Sequence, residues 1–235
     1  MQTVVEGVAG ELFDRLSAEP ARALLERSHR REMRDGATLF REGDPASDVF
    51  VLVRGCVKVV RDTSDGREVV LHLRGPGDFV GCSSLLNQPT YSGSAVAIGD
   101  AVILAWPAAL VHQLMAHHPD LMASILHMLG QRMNELRDKF GDLATQRVEQ
   151  RIARTLTRLA HQSGVRTPEG IRVDFRLSRA ELAELTGTTL FTASRVLSAW
   201  TKRGIIETDH RRLLIRHPHE LVGIAEGLPA EERLR

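Results

Sequence analysis

The chain has 235 residues, 43% of them apolar and 26% charged, which is the composition of a globular protein with room for two cores; no apolar run approaches the roughly 20 residues that a bilayer span needs. Its two cysteines, Cys56 and Cys82, are too few for a disulfide framework or for a four-cysteine iron-sulfur site supplied by one chain. The net charge of +1 hides an asymmetry: residues 145–217 hold 14 Lys and Arg against 7 Asp and Glu, while the remainder holds 17 against 23, and a basic module on an acidic remainder suits a polyanionic partner such as DNA.

In chain order, the opening MQTVVEGVAGELFDRL lacks the basic, apolar and small-residue succession of a secretion leader, so a cytoplasmic location is expected. Short helices are expected over Glu11 to Arg27. Apolar runs then recur between glycine turns: Val49 to Val53, Val57 to Val60, Val69 to Leu73, Ala95 to Ile98 and Val102 to Trp106. β-branched runs at this spacing indicate a β-barrel or jelly roll.

After Pro119, the residues Met122, Leu126, Leu129, Met133, Leu136, Phe140 and Leu143 recur at alternating intervals of four and three. That is a coiled-coil seam, and its polar flanks predict pairing with a second copy of the chain; the alternative is a helix packed on its own barrel, with a broader apolar face. A second helical face follows at Val148, Ile152, Leu156 and Leu159, then a loop over Gly164 to Gly170 and a strand over Ile171 to Phe175.

The segment LSRAELAELTGTTLFTASRVLSAWTKRGIIE carries the clearest functional signal. Ser178 with Glu181 three positions on forms a capping box that starts a short helix, Gly187 permits a tight turn, and a second helix runs from about Thr189 to Arg203 with Ala193, Val196, Leu197 and Trp200 inward. The turn Asp209-His210-Arg211-Arg212 and the strand Leu213-Leu214-Ile215 complete a wing. The outward face of the second helix holds Thr189, Leu190, Thr192, Ser194, Arg195 and Ser198. Arg195 has the fork that matches guanine O6 and N7, and the short hydroxyls suit phosphates or base edges. Ser178, Arg179, Lys202, Arg203, Arg211 and Arg212 read as phosphate contacts. No nucleophile-base pair, glycine-rich phosphate loop or clustered metal ligands is visible, so an enzyme is not expected and no residue is assigned to a metal.

Two stretches, REGDPASDVFVLVRGCVKVV followed by GREVVLHLRGPGDFVG, and the helix-turn-helix above, resemble the CRP/FNR family of transcription regulators over nearly the whole chain. The resemblance implies an α+β architecture: a cyclic-nucleotide-binding-like sensor domain over 1–115, a dimerisation helix and linker over 116–143, a winged helix-turn-helix over 144–217 and a tail over 218–235. It also implies a homodimer that reads a palindromic site in double-stranded DNA and activates or represses by touching or obstructing RNA polymerase, with no membrane. A regulatory module of a kinase or channel is the competing reading; the winged motif and the absence of a catalytic or membrane domain argue against it.

Departures from the family pattern bear on the signal. The effector pocket that the resemblance places at Gly81, Cys82, Ser83, Ser84 and Ser94 has Cys82 where cyclic-AMP-binding members carry a ribose-binding Glu. Gly93-Ser94 stands in place of their phosphate-binding Arg-Ser pair. Without that arginine nothing obvious neutralises a cyclic phosphate, and cyclic AMP is not expected; amides over Gly81 to Ser84, at an expected helix N-terminus, would hold an anion weakly. The cysteines of the iron-sulfur branch are missing too. The helix TTLFTASRVLSAW looks most like the nitrogen-oxide-responsive group, some of whose relatives sense gas through haem, with His72, His112, His117, His118 and His127 as candidate ligands. A haem sensor, another small effector and no effector at all stay open. In the recognition helix, Ser194 and Arg195 match the family, whereas Phe191 replaces a Glu that members reading a TTGAT-like half-site carry.

Overall fold

A computed structural model describes residues 13–63, 68–173, 177–209 and 212–229. The chain divides into two compact units, 1–136 and 137–235.

In the first unit, helix α1 (Ala18–Glu26) precedes strands β1 (His29–Met33), β2 (Thr38–Phe40), β3 (Asp48–Asp62), β4 (Glu68–Arg74), β5 (Phe79–Val80) and β6 (Ser94–Pro107). The four runs expected around residues 49–60 and 95–106 are two long strands. β3 and β6 pair antiparallel from Asp48 opposite Pro107 to Val60 opposite Ser94, with register shifts between Leu52 and Cys56. Gly99, read as a turn, is therefore a bend within β6, and Gly55 is a bend within β3. Around this ribbon, β1 and β2 pair with β6, and β4 and β5 pair with β3. The pairing is an open path ending in β1 and β4, a jelly-roll-like sheet and not a closed barrel, because among the described residues no pairing joins those two ends.

Alternation along the strands sorts two cores. Phe50, Leu52, Ile103 and Ala105 point inward with Phe40, Val57 and Tyr91. Val49, Val51, Leu104 and Trp106 point outward, where helices cover them. The Trp106 indole donates to the Leu24 carbonyl at 2.7 Å, fixing α1 against β6. Helix α2 (Ala108–His117) and the first half of α3 (Pro119–Thr145) complete this outer core through Val111, Leu114, Leu121, Ile125 and Met128.

The second unit holds α4 (Val148–Ser163), β7 (Gly164–Thr167), β8 (Gly170–Val173), α5 (Arg179–Leu185), α6 (Leu190–Lys202), β9 (Ile206–Asp209), β10 (Arg212–Ile215) and α7 (Pro218–Ala225). Its strands form one four-stranded sheet in the order β7-β8-β10-β9. The stretch read as a loop from Gly164 is half of a β7-β8 hairpin. The stretch read as a tail begins with α7, whose Leu221 and Ile224 are buried. The expected strand to Phe175 is described only as far as Val173.

Candidate nucleic-acid interface, dimer face and sensor loop

Helices α5 and α6 arise from caps that the sequence supplies. The Ser178 hydroxyl accepts the Glu181 amide at 3.1 Å while the Glu181 carboxylate accepts the Ser178 amide at 2.8 Å, closing the capping box. Thr189 caps α6 by accepting the Thr192 amide at 3.2 Å. Between them the turn holds Gly187 at φ +60°, a conformation that favours glycine. Arg151 of α4 clamps this turn, donating to the Thr186 carbonyl at 2.9 Å and the Gly187 carbonyl at 3.3 Å. Sequence reading missed it, since only the fold brings Arg151 beside the turn.

Ala193, Val196, Leu197 and Trp200 are buried as expected and seat α6 on the core of the unit. The opposite face presents Leu190 and Arg195 exposed, with Thr192, Ser194 and Ser198 half-buried. No ion pair to Arg195 is present among the described residues, so its guanidinium is available to a ligand. Ser198 accepts a 3.4 Å hydrogen bond from Arg179, which joins the two helices. Lys202 is exposed at the end of α6, while Arg203 pairs with Glu220. Arg211 lies outside the described residues. The wing is present as the β9-β10 hairpin, paired from Ile206 opposite Ile215 to Asp209 opposite Arg212.

Helix α3 has two faces. Leu121, Ser124, Ile125 and Met128 are buried on the sensor unit, a face that the seam spacing did not show. Met122, Leu126, Met133, Leu136 and Phe140 are exposed, Leu126 at 60% and Met133 at 68%. Leu129 sits at the edge, partly buried against the outer core. Both sequence-derived pictures of the helix are therefore present on one helix: one face packs on its own sheet, and a second apolar stripe has no cover among the described residues.

The sensor loop is a run of turns and not a helix. The amides of Ser84 and Leu85 bond back to the carbonyls of Gly81 at 3.2 Å and Cys82 at 3.1 Å, so they are not free to hold an anion. Ser84 is buried with its hydroxyl on the Gly81 carbonyl at 2.8 Å; Ser83 faces Ser92 at 3.4 Å; Ser94 accepts the Glu42 amide at 2.9 Å. Cys82 is half-buried against the outer core. A Cβ on Gly93 would lie 2.8 Å from the carbonyl oxygen of Val60, so the position is closed to any side chain unless the backbone shifts.

Beside this loop lies a charged cluster that the sequence did not reveal. Arg132 of α3 donates to the Phe79 carbonyl at 2.5 Å, and buried Arg74 pairs with Glu135 of α3 at 3.2 Å. Asp78 accepts the Gly75 amide at 2.9 Å; burial pushes its pKa above the usual carboxylate range, against the opposing pull of Arg74. Burial likewise pushes Arg132 below its ordinary value. The cluster ties the turn between β4 and β5 to α3.

The candidate histidines do not converge. His112 bonds the Leu85 carbonyl at 3.1 Å, His117 the Gln113 carbonyl at 2.8 Å and His127 the Gln131 amide at 2.8 Å. Among the described residues no group of three or more His, Cys, Asp or Glu suits a metal ion, and no helix is long and apolar enough to cross a membrane.

Comparison with known proteins accounts for both units. The family profile for the cyclic nucleotide-binding domain matches residues 30–118, and that for the Crp-like helix-turn-helix domain matches residues 150–224. The Cyclic AMP receptor protein of Thermus thermophilus is 30% identical over 217 residues, which covers 92% of this chain and 97% of that one. Among solved structures, the c-di-GMP responsive global regulator CLP of Xanthomonas campestris aligns with a TM-score of 0.70 at 28% identity, over 85% of this chain and 99% of that one. FixK2 from Bradyrhizobium japonicum aligns with a TM-score of 0.74 at 21% identity over 84% and 96%, a likeness of fold.

Proposed function

We propose, for a chain that belongs to the CRP/FNR family of transcription regulators, that it dimerises along α3, reads an inverted repeat through α6 and takes its signal from something other than cyclic AMP. The observation that carries this reading is the uncovered apolar stripe on α3. A side chain as exposed as Met133 leaves most of its apolar area in water, and a stripe recurring every three to four residues is covered by a second copy of itself. Two copies related by a two-fold axis present two α6 helices, and the target is then an inverted repeat with half-sites about one helical turn apart. Contact with RNA polymerase at promoters completes the proposal.

The nucleotide part rests on Gly93. With a Cβ excluded by the Val60 carbonyl, no arginine reaches a cyclic phosphate from this position, and an unpaired phosphate in a partly desolvated pocket is costly. The test is enrichment of binding sites from randomised duplexes, with and without cyclic AMP. An inverted repeat bound with equal affinity in both conditions is expected; a tenfold gain on adding cyclic AMP would overturn this reading of the sensor.

A haem group, which the resemblance to nitrogen-oxide-responsive regulators brings with it, does not fit His112: its Nε2, the ring nitrogen that reaches furthest from the backbone, bonds the Leu85 carbonyl beside the sensor loop, which leaves only Nδ1, crowded by its own Cβ. Haem titration checks this: no Soret band is expected, and a sharp band would overturn it while leaving the DNA reading intact.

A further inference from the structure

The first turn of α6 carries an apolar patch that packing does not explain. Phe191 is 78% exposed and Leu190 54%, whereas the inward residues of the same helix are almost fully covered. A phenyl ring this exposed on a helix that already buries Ala193, Val196, Leu197 and Trp200 contributes nothing to holding the unit together. Its place is informative: Phe191 lies four residues before Arg195, and side chains at that separation are neighbours on one helix surface. The ring and the guanidinium, which has no ion pair among the described residues, therefore face the same ligand.

We infer that Phe191 is a base-reading residue, packing on the C5-methyl group of a thymine beside the guanine read by Arg195. The inference rests on the proposed role of α6 and deepens it. In the major groove, the thymine methyl is the one apolar feature that the base edges display, so an exposed ring entering the groove meets its complement there. The N-terminal residues of a recognition helix are the ones that reach base edges. Four residues of helix rise about 6 Å, or about two base steps, which places the thymine within two positions of the guanine. A carboxylate at this position would accept a hydrogen bond from cytosine; a phenyl ring cannot, and it selects for the methyl instead.

The experiment uses the full-length protein and the inverted repeat enriched from randomised DNA. Each thymine of the half-site is replaced in turn by deoxyuridine in both halves, which removes the methyl and keeps every hydrogen-bonding group. At one thymine within two positions of the guanine, the unaltered protein should lose about fourfold per half-site, and so about fifteenfold overall, from the burial of one methyl group. Phe191→Ala, at an exposed position where folding does not depend on the ring, should bind the thymine and deoxyuridine sites equally. Arg195→Ala should keep the difference between them while losing its preference for guanine. If the unaltered protein does not distinguish deoxyuridine at any position, or Phe191→Ala retains the distinction, thymine reading by Phe191 is wrong. In either case a guanine-specific loss in Arg195→Ala still upholds α6 as the reading helix, and its absence overturns both. A Phe191→Ala variant that binds both sites like the unaltered protein but no longer activates or represses transcription assigns the ring to a protein partner and likewise overturns the proposal.

Discussion

Replacing Leu126 and Met133 by glutamate should convert the protein to a monomer without unfolding it. Both side chains are largely exposed in the single chain, at 60% and 68%, so a polar replacement disturbs no contact that the sensor unit needs. In a two-fold dimer each is covered by the partner. Complete burial of a Leu or Met side chain contributes about 1.5–3 kcal/mol, and the portion still exposed here therefore about 1–2 kcal/mol. Four such side chains per dimer give about 4–8 kcal/mol, and like charges facing one another across the seam add to the loss. The dimer dissociation constant should rise by about a thousandfold or more. Sedimentation velocity over a concentration series measures this directly, with thermal unfolding of the sensor unit as the control for folding. A double variant that still sediments as a dimer at micromolar concentration would refute the seam. Charged substitution at Leu129 is a poorer test, because that residue also touches the outer core.

Two further outcomes follow from local chemistry. Ser178→Ala removes the hydroxyl that accepts the Glu181 amide and should destabilise the second unit by about 1 kcal/mol in denaturant titration, an effect that Ser178→Asp should largely reverse. Asp78 has its pKa raised in the folded state, so the folded chain holds this proton more tightly than the unfolded one. Its contribution is greatest below the ordinary aspartate value and declines as pH rises through the raised one. Asp78→Asn should flatten that part of the stability-pH curve, and an unchanged slope would show that burial does not govern this group.

The sequence was most legible where one period or one cap decides the structure. The helix-turn-helix could be read residue by residue because Ser178, Gly187 and the spacing of Ala193, Val196, Leu197 and Trp200 each admit few alternatives. The exposed stripe on α3 was equally plain, but its buried face was not. Leu121, Ile125 and Met128 are spaced as an ordinary helix face, and the stricter seam beside them drew the reading. Glycine misled in the sheet: Gly99 looks like a chain reversal in sequence and is a bend inside β6, since pairing with β3 resumes on either side of it. The Arg74, Asp78, Arg132 and Glu135 cluster was invisible because its members are up to 61 residues apart and meet only when α3 lies on the β4-β5 turn. The identity of the effector is a property of pocket shape, to which local pattern is nearly blind.

The most direct measurement is the binding of Arg195→Ala, beside Lys202→Ala, to a panel in which every base pair of one half-site is varied in turn. Reading through α6 predicts that Arg195→Ala loses about 1–3 kcal/mol on sites that carry the matched guanine and little on sites that lack it, whereas Lys202→Ala weakens every site alike. Equal losses across the whole panel for Arg195→Ala would contradict the account, leaving α6 as a contact to the phosphate backbone alone.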